Sequence, residues 1–114
     1  YNKDNIPKNL DFINIGIVSH NELIDYISRA EFLIFPSLNE SFGLPLIEAS
    51  LNNCYIIASN KQYVYEVVKP SITFDPTSIK DMSKSIVNAY KNIGLSKPKL
   101  LVENKIDTFV KYIK

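Results

Sequence analysis

Two carboxylates, Glu40 and Glu48, stand eight positions apart in the stretch FPSLNESFGLPLIEAS, Phe35 to Ser50, on either side of a Phe-Gly-Leu-Pro turn. Paired acids can divide general acid and base work, provided that both reach the same reacting group. On one continuous helix eight residues make about 2.2 turns and span roughly 12 Å, too far for a dyad. The spacing becomes useful if Glu40 lies in a loop and Glu48 in a helix that begins near Pro45, where proline is tolerated in the first turn. Both acids can then line one crevice at the carboxyl end of the apolar run Phe32–Phe35, the place where open α/β sheets take ligands. The amides of Gly43, Leu44, Leu46 and Ile47 would floor it as the positive end of a helix, suited to phosphate. Acids beside a phosphate must point at neutral hydroxyls, so a nucleotide joined to a sugar meets both demands. The plainer reading is that an acid near a helix start is favourable in any protein and that a surface glutamate needs no ligand.

The elements that would position these residues follow from the hydrophobic pattern. Phe12–Val18 is short, apolar and β-branched, as buried parallel strands are. SHNE then offers a capping box, Ser19 accepting from the Glu22 amide and Glu22 reaching back to the Ser19 amide, ahead of a helix over Ser19–Ala30. Phe32–Phe35 is a second strand, Pro45–Asn52 a helix, Tyr55–Ala58 a third strand, Tyr63–Val68 a short helix and Ile72–Phe74 a minimal fourth strand. SIKD opens a longer helix with Asp81 at the box position and Ile79, Met82, Ile86, Ala89, Tyr90 and Ile93 as its buried stripe, closed by Gly94. Leu100–Ile113 reads as a last helix with charges on one side. Strands alternating with helices predict an α/β fold with a parallel sheet covered on both faces.

Composition narrows the classes. The 114 residues are 46% hydrophobic and 22% charged, which suits one soluble globular domain with a single core. A net charge of +1 with scattered basic residues gives no footprint for nucleic acid or an anionic membrane. One cysteine, Cys54, and one histidine, His20, supply neither a disulfide nor a zinc-type ligand cluster, so a cytoplasmic, metal-free domain without cofactor is expected. Cys54 reads as a small buried apolar residue and His20 as a solvated residue of a helix start. A first residue that is Tyr1 rather than methionine suggests a piece of something longer.

With these residues in view, FPSLNESFGLPLIEAS resembles the signature of the retaining GT-B glycosyltransferases of the group 1 family, family four, in which two glutamates bracket Phe-Gly-Leu-Pro. INIGIVSHNELIDYISRAEFLIFPS before it, and IIAS, YEVV and ITFDPTS after it, are similar to the family's flanking elements, so the likeness spans nearly the whole chain. It implies a partial Rossmann-like domain, residues 1–114, from the C-terminal nucleotide-sugar-binding half of a two-domain enzyme. It implies Glu40 as the catalytic residue against the donor sugar and Glu48 on the ribose hydroxyls. Ser41, Phe42, Gly43 and Leu44 match the turn that meets diphosphate and sugar, and Glu66 of YEVV lies near the donor pocket.

Departures from the pattern carry their own expectations. NNCY replaces the frequent Cys-Gly-x-Pro, with Asn53 able to take the left-handed cap in place of glycine. NKQYVY stands where a Gly-Gly element is common. Tyr63 and Tyr65 read as packing aromatics, with base stacking as the alternative. The first strands of the donor domain, with their basic residues, and the acceptor domain are expected elsewhere in a longer chain. The implied partners are therefore a nucleoside diphosphate sugar and that acceptor domain, the isolated piece being inactive. In the family's sheet order two further strands lie between Phe12–Val18 and Phe32–Phe35, which predicts re-pairing of the Phe12 strand or self-association through exposed edges. Rival readings are a catalytically degenerate nucleotide-binding or structural module, and an isomerase or phosphorylase on the same architecture.

Overall fold

A computed structural model of the chain describes residues 13–37, 43–92 and 95–101. Its elements run α1 (His20–Arg29), β1 (Phe32–Phe35), α2 (Leu44–Leu51), β2 (Tyr55–Ser59), α3 (Gln62–Tyr65), β3 (Val68–Lys69), β4 (Ile72–Phe74), α4 (Ile79–Tyr90) and β5 (Lys99–Leu100). Strands β1, β2 and β4 form a parallel sheet in that order, Phe32 opposite Tyr55 and Ile57 opposite Ile72, while β3 and β5 pair antiparallel beside it. This is a partial Rossmann-like α/β arrangement, as the alternating pattern predicts.

The pleat divides the strand residues between two layers. Ile56 and Ala58 of β2, with Leu33 and Phe35 of β1, join Ile27, Leu46, Ile47, Ala49, Cys54, Val64, Val67 and Val68 in the larger core, against α1, α2 and α3. Ile57 turns the other way, to Phe74 and Ala89, with Phe32, Ile72 and Met82 around them under α4. That second layer stops short: Ile34, on the outer strand β1, is 42% exposed, and an apolar groove of about 110 Å³ opens between it, Phe32, Ile57, Ile86, Ala89 and Tyr90. Helices thus flank both faces of the sheet as predicted, and among the described residues the face under α4 is covered in part.

Both long helices start where the capping residues place them. The Ser19 hydroxyl accepts from the Glu22 amide at 3.2 Å and donates to Glu22 Oε1 at 3.0 Å. The Ser78 hydroxyl accepts from the Asp81 amide at 3.1 Å. The return arms differ from the expected box. Glu22 holds the Ser19 hydroxyl in place of its amide, and Asp81 Oδ2 accepts instead from the Asp75 amide at 2.6 Å, tying α4 to the turn after β4.

Several expected boundaries move. Residues 13–18 form no strand, and Ile13 and Ile17 are exposed; a strand needs a neighbour to pair with, and these residues find none among the described ones. Re-pairing of that segment is accordingly not seen. The helix expected over Tyr63–Val68 ends at Tyr65, and Val68 passes into β3. Leu100 belongs to β5, so no helix begins there, and the remainder of the expected last helix lies outside the described residues. On α4 the stripe is narrower than predicted: Ala89 is buried, but Ile79 and Tyr90 are 79% and 86% exposed. Ile93 and Gly94 lie outside the described residues. Asn92, at φ +60°, takes the left-handed conformation just past the helix end.

The turn after β4 predicts a pH response. Thr77 gives Asp75 Oδ1 two hydrogen bonds, from its hydroxyl at 2.7 Å and its amide at 2.9 Å. The hydroxyl bond first, then the amide bond, hold the exposed Asp75 carboxyl below its ordinary value, against a smaller opposing effect of desolvation and with the least contribution from the Lys61 charge. A depressed folded-state value means that this stability is fully present above the unfolded-state pKa. It is lost as pH falls from there through the folded-state value. Thr77→Val, which keeps only the amide bond, is expected to raise the Asp75 pKa toward the ordinary carboxylate value in an NMR titration; an unmoved titration curve would refute this account.

Candidate functional site

The carboxyl edge of the sheet gathers the starts of several elements. Helix α1 leads through Ala30 and Glu31 directly into β1, and α2 follows β1, so both helices begin on the side where β1 ends. Helix α3 begins two residues after β2, and Asn60 between them donates its amide to the Phe74 carbonyl at 2.7 Å, joining the ends of β2 and β4. Ser59, fully buried, donates its hydroxyl to the Phe35 carbonyl at 3.3 Å and ties the ends of β1 and β2. These tethers hold the strand ends together at the edge where a crevice was expected.

Gly43 opens α2 with φ +63° and ψ +31°, the left-handed conformation that only glycine adopts without cost. It is also closely packed: a Cβ there would stand 3.3 Å from Val67 Cγ2, a tight contact, and 3.5 Å from Leu46 Cδ1, an ordinary one. Four free amides were expected at this helix start, and the structure changes that count. Leu46 and Ile47 both donate to the Gly43 carbonyl, at 3.0 and 3.2 Å. Pro45 has no donor, so Gly43 and Leu44 remain as the amides without a hydrogen-bond partner among the described residues. The Ile47 amide makes the ordinary first i→i−4 bond of the helix to the N-cap carbonyl, and the Leu46 amide shares that acceptor in a tighter i→i−3 bond.

Glu48 lies in the second turn of α2, half-buried, and its carboxylate has no partner among the described residues; only its backbone carbonyl is engaged, by the amide and side chain of Asn52 at 3.1 and 2.8 Å. Glu66 is exposed just past α3, with Gln62 Nε2 donating to its Oε1 at 3.4 Å. Glu40, Ser41 and Phe42 lie outside the described residues. The structure thus places Gly43, Leu44 and Glu48 on one helix at the carboxyl edge and Glu66 on the next connection.

Around this edge the tyrosines divide. Tyr63 packs against the larger core, stands edge-on to Phe35 with ring centroids 6.4 Å apart, and donates its hydroxyl to the Ser37 carbonyl at 2.7 Å. Tyr65 is half exposed and donates to Asn60 Oδ1 at 2.6 Å. Packing therefore accounts for Tyr63, and no local pattern foretells its bond to Ser37. His20 is not the freely solvated residue expected: it is half-buried, and its Nε2 is enclosed without a hydrogen-bond partner among the described residues.

At the opposite, amino edge Asn53 takes φ +57°, the left-handed role anticipated for it. Its carbonyl accepts from Lys97 Nζ at 2.9 Å, and that ammonium lies 3.8 Å from the centre of the Tyr55 ring, which stacks in turn on Phe32 at 5.5 Å. Tyr55, standing where the family pattern has proline, is thereby built into a cation–aromatic stack. Cys54 beside it is 1% exposed, and burial pushes its thiol above the ordinary value, with Lys97 opposing in part. A raised thiol is a poor nucleophile, consistent with a core role.

Parallel strands whose following helices start at one edge, with a left-handed glycine leading the central helix, define a partial Rossmann-like half-sheet. The chain belongs to the glycosyl transferases group 1 family, whose model matches residues 3–108. Over 77 residues, 67% of this chain and 21% of the relative, it is 39% identical to the O-antigen chain mannosyltransferase RfbU of Salmonella typhimurium. It is 34% identical over 71 residues to an uncharacterized 41.2 kDa protein in the cps region of Klebsiella pneumoniae, covering 62% of this chain and 20% of the relative. A third relative, the phosphatidylinositol N-acetylglucosaminyltransferase gpi3 subunit of Schizosaccharomyces pombe, is 34% identical over 59 residues, 52% of this chain and 13% of its own length. The chain spans about a fifth or less of these relatives. No solved structure matches it at a significant level. Among the described residues no helix is long and apolar enough to cross a membrane.

Proposed function

We propose that this chain is the donor-binding portion of a retaining glycosyltransferase, one that moves a sugar from a nucleoside diphosphate sugar to a hydroxyl acceptor. The observation that carries the reading is the start of α2, where two amides and the Glu48 carboxylate have no partner among the described residues at the carboxyl edge of the sheet. In this reading the Gly43 and Leu44 amides meet the diphosphate, Glu48 accepts from the ribose hydroxyls, and Glu40 lies against the donor sugar with Ser41 and Phe42. Glu66 approaches the same sugar from the next connection.

The bond from the anomeric carbon to the diphosphate oxygen breaks as a bond to the acceptor oxygen forms, and the proton of the acceptor hydroxyl passes to the leaving diphosphate oxygen. Negative charge gathers on the leaving diphosphate, where preorganised amides at a helix start stabilise it more in the transition state than in the ground state. Two amides make only part of such a site, so basic residues and an acceptor domain from the rest of a longer chain complete it. These 114 residues alone are accordingly inactive and bind donor weakly. We place the reaction in the cytoplasm, without a metal.

The test is calorimetric titration of UDP, GDP, ADP, CDP and dTDP into the full-length protein and its Glu48→Ala variant. One nucleotide should bind, and the variant should bind it at least about tenfold more weakly, as loss of a charged hydrogen-bonding group predicts. Equal affinity in the two proteins would discard the assignment and favour a degenerate module of the same fold.

A further inference from the structure

The short connection from β2 into α3, Asn60 and Lys61, is held at several points. The Asn60 amide donates to the Phe74 carbonyl at 2.7 Å, and its Oδ1 accepts the Tyr65 hydroxyl at 2.6 Å. The Lys61 amide donates to the Ser59 carbonyl at 2.9 Å, and the Lys61 carbonyl accepts the Val64 amide at 3.0 Å. The backbone of Lys61 is thus pinned at the carboxyl edge, while its side chain is exposed and makes no hydrogen bond or ion pair among the described residues. Asp75, whose carboxyl feels the Lys61 charge, takes its hydrogen bonds from Thr77 instead.

This lysine leads onto the face of the sheet that carries α2. Val64 of α3 is buried in the larger core with Leu46 and Ile47 of α2, and Val67, just past α3, lies against Gly43. Strands β1 and β2 are neighbours, and their ends are joined by the Ser59 hydroxyl, so the start of α2 and the Lys61 turn leave adjacent strand ends. Neighbouring strands lie about 4.8 Å apart, within the length of an extended lysine side chain. The electrostatics call for a cation there: a diphosphate at the Gly43 and Leu44 amides shares this edge with the Glu48 and Glu66 carboxylates, and two amides do not balance that negative charge. Lys80 and Lys84, near the same edge, lie on α4 and so on the opposite face.

We propose that Lys61 supplies positive charge to the donor diphosphate, its ammonium reaching from the end of β2 to the phosphate oxygens seated at the Gly43 and Leu44 amides. The proposal deepens the donor-binding reading above and rests on it. An ammonium suits the role as a compact point charge on a flexible stem, able to follow phosphate oxygens without the fixed fork that a guanidinium imposes. A Gly-Gly element, common where NKQYVY stands, would supply no charge.

Lys61→Met in the full-length protein removes the charge and keeps the stem, at an exposed position where no packing depends on it. Titrated in dilute buffer with whichever of UDP, GDP, ADP, CDP and dTDP the parent binds, the variant should bind about fivefold more weakly, the upper end for an exposed ion pair. Lys61→Arg should restore most of the affinity. In molar salt the gap between parent and Lys61→Met should close, because screening removes a charge contact in water and leaves packing untouched. Lys80→Met, which removes the same charge from the other face, should bind as the parent does. Equal affinity of Lys61→Met and the parent in dilute buffer, a gap that persists in molar salt, or an equal loss from Lys80→Met would overturn the proposal and leave the donor reading standing. A parent protein that binds none of these nucleotides sinks the donor reading, and the role of Lys61 with it.

Discussion

Gly43→Val is expected to destabilise the domain by about 2–6 kcal/mol and, on the donor-binding reading proposed above, to abolish nucleotide binding with it. Two independent costs combine. A β-branched residue held at φ +63° pays for the left-handed conformation, about 1–3 kcal/mol where surrounding structure enforces it. Its Cβ would also stand 3.3 Å from Val67 Cγ2, so the buried Val67 side chain must give by a few tenths of an ångström, while Leu46 Cδ1 at 3.5 Å is in ordinary contact. Overpacking of this kind typically costs about 1–3 kcal/mol. The backbone can relieve both only by unwinding the first turn of α2, which moves the Gly43 and Leu44 amides. Gly43→Ala bears a smaller conformational cost and the same first contact, so it should fall between parent and valine variant. Urea denaturation of the full-length protein, followed through exchange protection of the β2 amides, gives the measurement. Equal stability of the valine variant and the parent would mean that the start of α2 is not built as described.

How far the fold was legible follows from what each element depends on. Helix α1, β1, α2, β2 and β4 lay within a few residues of their expected positions because each carries its own signal: a capping serine, a β-branched run, or proline in a first turn. Residues 13–18 have a strand's composition, but pairing is not a property of the segment itself, and the described residues offer it no neighbour. Strands β3 and β5 were missed for the converse reason. Two residues each is too short for a period, and Lys99–Leu100 becomes a strand only because Val68–Lys69 lies beside it. The candidate site was legible at Gly43 and Glu48, whose types and spacing are local. The Tyr63 bond to Ser37, 26 residues apart, is tertiary and left no trace in the pattern. Likewise, the Leu46 bond to the Gly43 carbonyl, made beside the ordinary helical bond from Ile47, is a detail of the first turn that residue type does not impose.

Phe74→Ala should cost about 3–5 kcal/mol, as truncation of a buried aromatic does, whereas Tyr90→Ala should stay within about 0.5 kcal/mol of the parent. Both are aromatic residues of the α4 side, and a periodicity argument alone would rank Tyr90 with the buried stripe. Burial decides otherwise. Phe74 is 2% exposed and joins Ile57 and Ala89 at the centre of the second core, while Tyr90 is among the most exposed apolar residues described. The loss at Phe74 would not stay in that core. Its carbonyl accepts the Asn60 amide, and the turn after it holds the Asp81 carboxylate that anchors the start of α4. Displacing β4 therefore loosens α4 from one side of the sheet and the approach to α3 from the other. Set against the 5–15 kcal/mol that holds a domain together, such a loss takes a large part of the margin. In the Phe74 variant, protection of the α4 amides should collapse before that of β2, because β2 still has β1 and α2 against it. A Tyr90 variant as damaged as the Phe74 one would show that α4 packs on a different face from the one described.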